Sequence, residues 1–361
     1  MSRQAADGWI VSAPLPVRLL GSVLDDLELP ALVAALDLRT AVAAVRRDDG
    51  LSSVRLPGRD PENLDLSPDA VPLLPHVLAV LAQKGIGLSR GWDFTVHTRA
   101  LDPEAVALSP ALAVAWVTAV LAVEARLSDL SGEGVAAVAS EALARATDGS
   151  SRYPEVRAAA LGGVLLVRPH KKDSLAAERA LPELVVARLR TPLGDLRDSA
   201  ALKRDTAEAI RSLRGVVGDF TFGETAVSQV AEDLNALPDA LAGMVYGYLA
   251  ARDICRQAWD VLEAETGLDD DAFGEMLDDT HGILRDYFAV TSLEAEDLAA
   301  AARNAGALGC TLCADGATLV AFAPGKAEAV ADAMRKAGAN ARVAPIGLGM
   351  RVDHVPKTSE E

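Results

Sequence analysis

Phe273–Phe322 reads FGEMLDDTHGILRDYFAVTSLEAEDLAAAARNAGALGCTLCADGATLVAF, and its pattern decides the fold class. Apolar residues recur at helical spacing through Phe273, Met276 and Leu277, then Ile283, Leu284 and Tyr287. Thr291 and Ser292 break the run. The Ser292 hydroxyl suits the free N–H groups of a second helix, and Glu294, Glu296 and Asp297 bring negative charge to its positive end. That helix is expected to close near Gly306 or Gly309. Leu308 to Phe322 then reads as two short strands joined by a turn at Ala314-Asp315-Gly316. A helix, an acid-capped helix and a hairpin predict an α+β layered domain.

The same residues carry a likeness. Phe273-Gly274-Glu275-Met276-Leu277, Thr280-His281, Leu284-Arg285-Asp286-Tyr287 and Val290 match a run, FGELMNESH..LRDDYEVS, of galactokinases. Ala305 to Gly316 lines up with their AGALGARMTGAGFGG. The stretch resembles the C-terminal half of galactokinases and related small-molecule kinases of the GHMP superfamily, and the resemblance runs from Trp9 to Asp353. It implies an α+β, two-domain GHMP-kinase fold. The N-terminal domain, ribosomal-protein-S5-like, would span 1–188, and a ferredoxin-like C-terminal domain 189–361.

The framework of that family is better kept than its chemistry. Ala13, Pro14, Val17, Leu19, Gly21 and Asp25 keep the register of the family's APGRVNLIGEHTD, but its arginine is Pro16 here and its glutamate is Ser22. The resemblance implies a sugar-binding carboxylate at Asp25. Arg18 is the substitute cation, although two residues along a strand is a displacement of about 6–7 Å. A bare solvated acidic turn at Asp25-Asp26 is the competing reading.

Where the family carries its phosphate cradle, GLSSSAALEVA, this chain reads Ala105-Val106-Ala107-Leu108-Ser109-Pro110-Ala111-Leu112. A cradle needs glycine, because backbone N–H groups must converge on phosphate, often at positive φ. Only Ser109 remains as a nucleotide-binding candidate, and it is also a good N-cap with Pro110 behind it. Counting back from Ala160-Leu161-Gly162 puts Glu155 at the family's catalytic aspartate, the alternative being a solvated loop glutamate. In the third motif one glycine, Gly316, survives as a nucleotide-binding candidate, and Asp315 beside it would repel a triphosphate. At an effective ε of about 20, two like charges about 4 Å apart cost about 4 kcal/mol.

Elsewhere the reading is coarser. Thr40–Val45 is a strand, Asp49-Gly50 a hairpin turn and Ser53–Leu56 its return strand. Helices are expected over Val71–Gly85, Ser131–Ala146, Glu224–Asn235, Ala240–Glu265 and Lys326–Ala337, a single last strand over Ala341–Asp353, and a polar tail from His354. His281 is read as structural.

Composition narrows the function classes. The formal net charge of −17 repels phosphate backbones, and the basic clusters are short, so no nucleic acid is expected as a partner. Cys310 and Cys313 form a lone C-x-x-C with no second pair, so two reduced, packed cysteines are expected and no metal. Met1–Gly8 is polar, and the longest apolar run, Leu112–Val123, is too short for a membrane span, so a cytoplasmic location is expected.

Two function classes follow. One is a galactokinase-like pseudokinase that keeps a sugar, another small metabolite or a protein partner. The other is a divergent active sugar kinase using Mg-ATP through Glu155, Arg18 and the helix end at Ser109. The loop from Ala105 to Ser109 discriminates between them.

Overall fold

From Asp37 to Ala44, burial alternates residue by residue along one long strand. This strand anchors a computed structural model that describes residues 8–23, 27, 29–57, 72–147, 149, 152–179, 181–196, 199–217 and 220–355. The chain divides into two units, both discontinuous in sequence. Unit 1 comprises Met1–Pro16, Ala34–Gly163 and Gly347–Glu361; unit 2 comprises Val17–Val33 and Val164–Ile346.

Unit 1 is built on strand β1 (Gly8–Leu20) as far as Pro16, strand β2 (Ala31–Arg46) from Ala34, β3 (Ser53–Arg55) and β4 (Trp92–Thr98), with helices α1 (Leu74–Ala82), α2 (Pro110–Val123), α3 (Gly132–Ala146) and α4 (Tyr153–Leu161). The strand Arg351–Val355, β11 in chain order, closes its sheet, whose path is β11-β1-β2-β4-β3. One face carries Val11, Val42, Ala44, Phe94 and Val96 into the core. Helix α2 is buried from Ala111 to Ala122 on every side, as expected of a helix that is apolar all round. Trp116 lies at its centre, edge-on to Phe94 at 5.3 Å.

Three chain segments meet in a closed ring of backbone bonds in this unit. Ala35 N–H donates to Gly163 O (2.9 Å), Gly163 N–H to Gly347 O (2.9 Å), and Gly347 N–H to Ala35 O (2.7 Å). Gly162 has φ +81°, and a Cβ there would fall 2.1 Å from Gly349 N, so only glycine fits. The Arg39 guanidinium binds the crossing together, donating to Ser12 O (2.9 Å), Leu348 O (3.0 Å) and Gly349 O (2.8 Å).

Unit 2 holds β5 (Val164–Arg168), β6 (Asp173–Ala176), β7 (Leu184–Arg188), α5 (Ala200–Val216), α6 (Val227–Leu234), α7 (Asp239–Glu263), α8 (Asp270–Asp286), α9 (Leu293–Asn304), β8 (Gly309–Leu312), β9 (Thr318–Phe322), α10 (Ala327–Lys336) and β10 (Asn340–Ala344). Its four-stranded antiparallel sheet runs β10-β7-β9-β8, with α8 and α9 packed on β8 and α10 on β10 and β7. Both expected caps are made: the Ser109 hydroxyl accepts from Leu112 N–H and the Ser292 hydroxyl from Ala295 N–H, each at 3.2 Å. The expected turn joins β8 to β9.

Three sequence expectations need correction. Asp49-Gly50 makes a turn, but no hairpin: β4 lies between β2 and β3, pairing antiparallel with β2 and parallel with β3. The β2–β4 ladder holds seven residue pairs and buries Trp92, Phe94 and Val96, whereas β3 has only three residues to offer. Ala341–Asp353 is two strands in two different sheets, broken after Ala344 at Pro345 and Gly347. His354 is in β11 rather than a tail, opposite Trp9 with ring centroids 4.7 Å apart.

Candidate functional site

In unit 1, Glu104–Leu108 winds into a 3-10 turn that leads straight into α2. The turn uses its own polar groups. Ala105 N–H donates to Asp102 Oδ1 (3.3 Å), Ser109 N–H to Val106 O (3.0 Å), and the Ser109 hydroxyl takes Leu112 N–H. Val106 is buried in the core, and Leu108 packs against it. With Val106 buried, Leu108 against the core and these N–H groups engaged, the turn leads into α2 and caps it.

Helix α4 packs beside α2. Its N-cap, Arg152, sits in the left-handed region at φ +46°, ψ +40°, which costs a non-glycine residue about 1–3 kcal/mol. Its guanidinium donates to Leu108 O at 2.9 Å and so ties the start of α4 to the turn before α2. One turn on, Glu155 is 6% exposed on the first turn of α4, where the helix dipole favours a carboxylate. It is therefore a buried helical residue and not a solvated loop glutamate. Arg157, equally buried, donates to the Tyr153 hydroxyl and pairs with Glu133 at the start of α3. Ser109 and Glu155 thus lie on two packed helices of the same unit.

The other candidates belong to unit 2. Arg18 is 1% exposed and donates to Gly21 O at 3.1 Å. Gly21 has φ +85°, and a Cβ there would meet Pro30 O at 2.8 Å and Cys255 Sγ at 3.3 Å. The next residue, Ser22, donates its hydroxyl proton to Leu312 O (3.2 Å), fixing this turn to β8. Asp25 lies outside the described residues.

Gly316 has φ +60° in the turn between β8 and β9, and it is covered by backbone. A Cβ on Gly316 would fall 2.0 Å from Gly194 O, and Leu193 N–H donates to Gly316 O at 2.8 Å. Asp315 is turned into its own loop. Its Oδ1 accepts from Ala317 N–H (3.0 Å) and Thr318 N–H (2.9 Å), and its Oδ2 from the Thr318 hydroxyl (2.7 Å). Arg188 lies 3.4 Å away as a counter-charge.

Cys255, Cys310 and Cys313 are free and buried. Burial pushes the Cys255 and Cys310 thiols up to about 12. No group of three or more His, Cys, Asp or Glu suited to a metal ion occurs among the described residues, and no described helix is long and apolar enough to cross a membrane. A cavity of about 500 Å³ at the start of α10, bordered by Pro182, Glu183, Lys326 and Glu328, contains none of the sequence candidates.

Sequence reasoning missed Arg152 and Arg157. Nothing in an arginine codon pattern announces a left-handed N-cap. Arg157 did carry a faint signal: it stands four residues after Tyr153, on the same face of a helix.

Residues 261–340 match the family described as GHMP kinases C terminal. They include the α8–α9–β8–β9 block on which the sequence resemblance rests. No curated protein matches this chain. Among solved structures, the Lactococcus lactis galactokinase complexed with galactose superposes with a TM-score of 0.74 at 16% identity, covering 95% of each chain. The mevalonate kinase of Methanococcus jannaschii gives 0.65 at 10% identity, over 94% of this chain and 98% of that one. The homoserine kinase of Cytophaga hutchinsonii gives 0.59 at 19%, over 98% and 99%. The chain has the GHMP-kinase fold and carries a GHMP kinase C-terminal domain.

Proposed function

We propose that this chain is a galactokinase-like pseudokinase, a binder of a sugar or another small metabolite without efficient phosphoryl transfer. The observation that carries the reading is the 3-10 turn at Glu104–Leu108, which has no glycine and around which the N–H groups of Ala105, Ser109 and Leu112 are already bonded, to Asp102, Val106 and the Ser109 hydroxyl. Phosphoryl transfer depends almost wholly on positioning and electrostatic stabilisation, so the loss of a phosphate cradle outweighs the loss of one base. Gly316 beneath the Gly194 carbonyl supports the same reading at the third motif.

The solved galactokinase of this fold is complexed with galactose, and a carboxylate at Asp25 is the proposed anchor for a sugar here. Charge-assisted hydrogen bonds to sugar hydroxyls need no nucleotide. The cytoplasm is the proposed setting, and a protein partner in place of a metabolite belongs to the same proposal.

The experiment is a thermal melt with millimolar ATP and magnesium. A ligand at about 100 times its Kd adds about 2.7 kcal/mol. An unchanged melting temperature is expected, and a saturable rise would sink the pseudokinase reading. Calorimetry against hexoses, pentoses and uronic acids tests the sugar arm, with Asp25→Ala expected to lose binding while melting normally.

A second reading, a divergent active small-molecule kinase, is favoured by one observation: Glu155 is a buried carboxylate on the first turn of α4. Active sites use burial and helix dipoles to tune their acids and bases. ADP release that depends on a sugar and is abolished by Glu155→Gln would establish it.

A further inference from the structure

We propose that two copies of this chain join edge to edge through β11, running antiparallel about Val352. The observation is the arrangement of charge on an open strand. β11 ends the unit 1 sheet, with β1 on its inner side and no strand on its outer side among the described residues. Arg351 and Asp353 are exposed and, being two residues apart on a strand, share one face. Val352 between them packs on the unit 1 core and keeps the strand in place.

Edge strands normally resist pairing through charges that repel a second copy. Here the sequence Arg-Val-Asp does the opposite in one register. A two-fold axis at Val352 sets Arg351 against Asp353 of the second copy, and Asp353 against its Arg351. Opposite charges directly across an antiparallel pair attract. Parallel pairing in register would set like against like, so the charges select direction as well as register. A contact of this kind is isologous and closes at two copies, which prevents fibre growth.

Flanking apolar groups are available to widen the contact. Ile10, opposite Asp353 in the sheet, is 42% exposed, and Leu348 just before β11 is 69% exposed. The other described sheet edges lack the device: β3 has three residues, β6 carries Asp173 with no basic residue, β8 carries no charge, and β10 carries Arg342 with no acidic residue. Each copy's net charge of −17 opposes approach, but at physiological salt repulsion is screened beyond about 8 Å. The paired strands are far closer than that.

The full chain, as purified, is examined by analytical ultracentrifugation at physiological salt up to about 100 µM, because a strand-edge contact is small and of modest affinity. A monomer–dimer equilibrium is expected. Arg351→Asp should raise the dimer dissociation constant at least about tenfold, and Arg351→Asp combined with Asp353→Arg should bring it back. A monomer throughout the range overturns the proposal, as does a dimer indifferent to Arg351→Asp. Val352→Cys in an otherwise unchanged chain gives a second readout, since the three native cysteines are buried. Cα atoms facing across such a pair lie within disulfide reach. Mild oxidation should yield a covalent dimer, and a chain that stays monomeric on a non-reducing gel overturns the register.

Discussion

The carbonyl oxygen of Gly274 in α8 approaches Gly309 in β8 so closely that a Cβ on Gly309 would lie 1.8 Å from it. The reverse also holds: a Cβ on Gly274 would lie 2.6 Å from the Leu308 Cβ. Helix and strand meet backbone to backbone, and the two glycines of the FGEM and ALGC runs are there to permit it. This contact seats the matched GHMP C-terminal block on its sheet.

Gly309→Ala should therefore destabilise the protein by about 3 kcal/mol or more, since backbone cannot yield as a side chain does. Gly282→Ala, on the same helix but with only the end of Arg285 within 4 Å, should stabilise by up to about 1 kcal/mol. Urea titrations of both variants check the contrast. Equal midpoints would mean that the close approach is not a constraint.

His281 should make the fold acid-sensitive. It is 0% exposed, its Nε2 lies 3.1 Å from Glu296 Oε1, and its buried Nδ1 has no hydrogen-bond partner among the described residues. Burial holds its pKa below the usual histidine range; Glu296 pulls it back up, and Arg303 and Arg285 push it further down. The unfolded chain then takes up a proton that the folded chain refuses. Stability is full above about pH 6.5 and is lost as pH falls through and below that value. In His281→Gln the pH slope of the unfolding free energy in this window should flatten. An unchanged slope would show that another group carries it.

None of the three thiols should react with a disulfide reagent in the native protein. Burial raises Cys255 and Cys310 to about 12, so at about pH 8 only about one part in ten thousand is thiolate. All three should react in denaturant. A thiol that titrates within minutes under native conditions would contradict the buried positions.

Trp116→Ala should cost about 3–5 kcal/mol, a large share of the stability of an ordinary domain. The ring is wholly enclosed by α2 and its neighbours and meets Phe94 edge-on. Trp116→Phe should lose much less. Comparable melting temperatures for the two variants would place the energy outside that ring.

What could be read from the sequence was what local chemistry dictates. Ser109 and Ser292 announce their caps, and Thr291-Ser292 and Ala314-Asp315-Gly316 announce breaks, because each signal acts within four residues. The Asp49-Gly50 turn was visible, but a turn does not choose its pairing partner; β4 won β2 with a longer buried ladder. The candidate site was legible in its losses, since missing glycines at 105–108 can be counted. How those losses are accommodated was not. The 3-10 turn has no long periodicity, and the strained Arg152 N-cap depends on the Leu108 carbonyl that it reaches 44 positions away.

The ladder between β1 and β11 has a consequence for the order of events during synthesis. Gly8 faces Val355 and Ser12 faces Arg351, so one edge of the first described strand, paired with β2 on its other side, waits for nearly the last. The ring through Ala35, Gly163 and Gly347 is likewise open until the third of these has been made. On the ribosome, then, the amino-terminal unit is the later one to be completed, and most of unit 2 emerges while the β1 edge stands bare. Ribosome-bound chains stopped at Ile346 should be cut by protease within Gly8–Ser12, and chains extended past Val355 and released should resist.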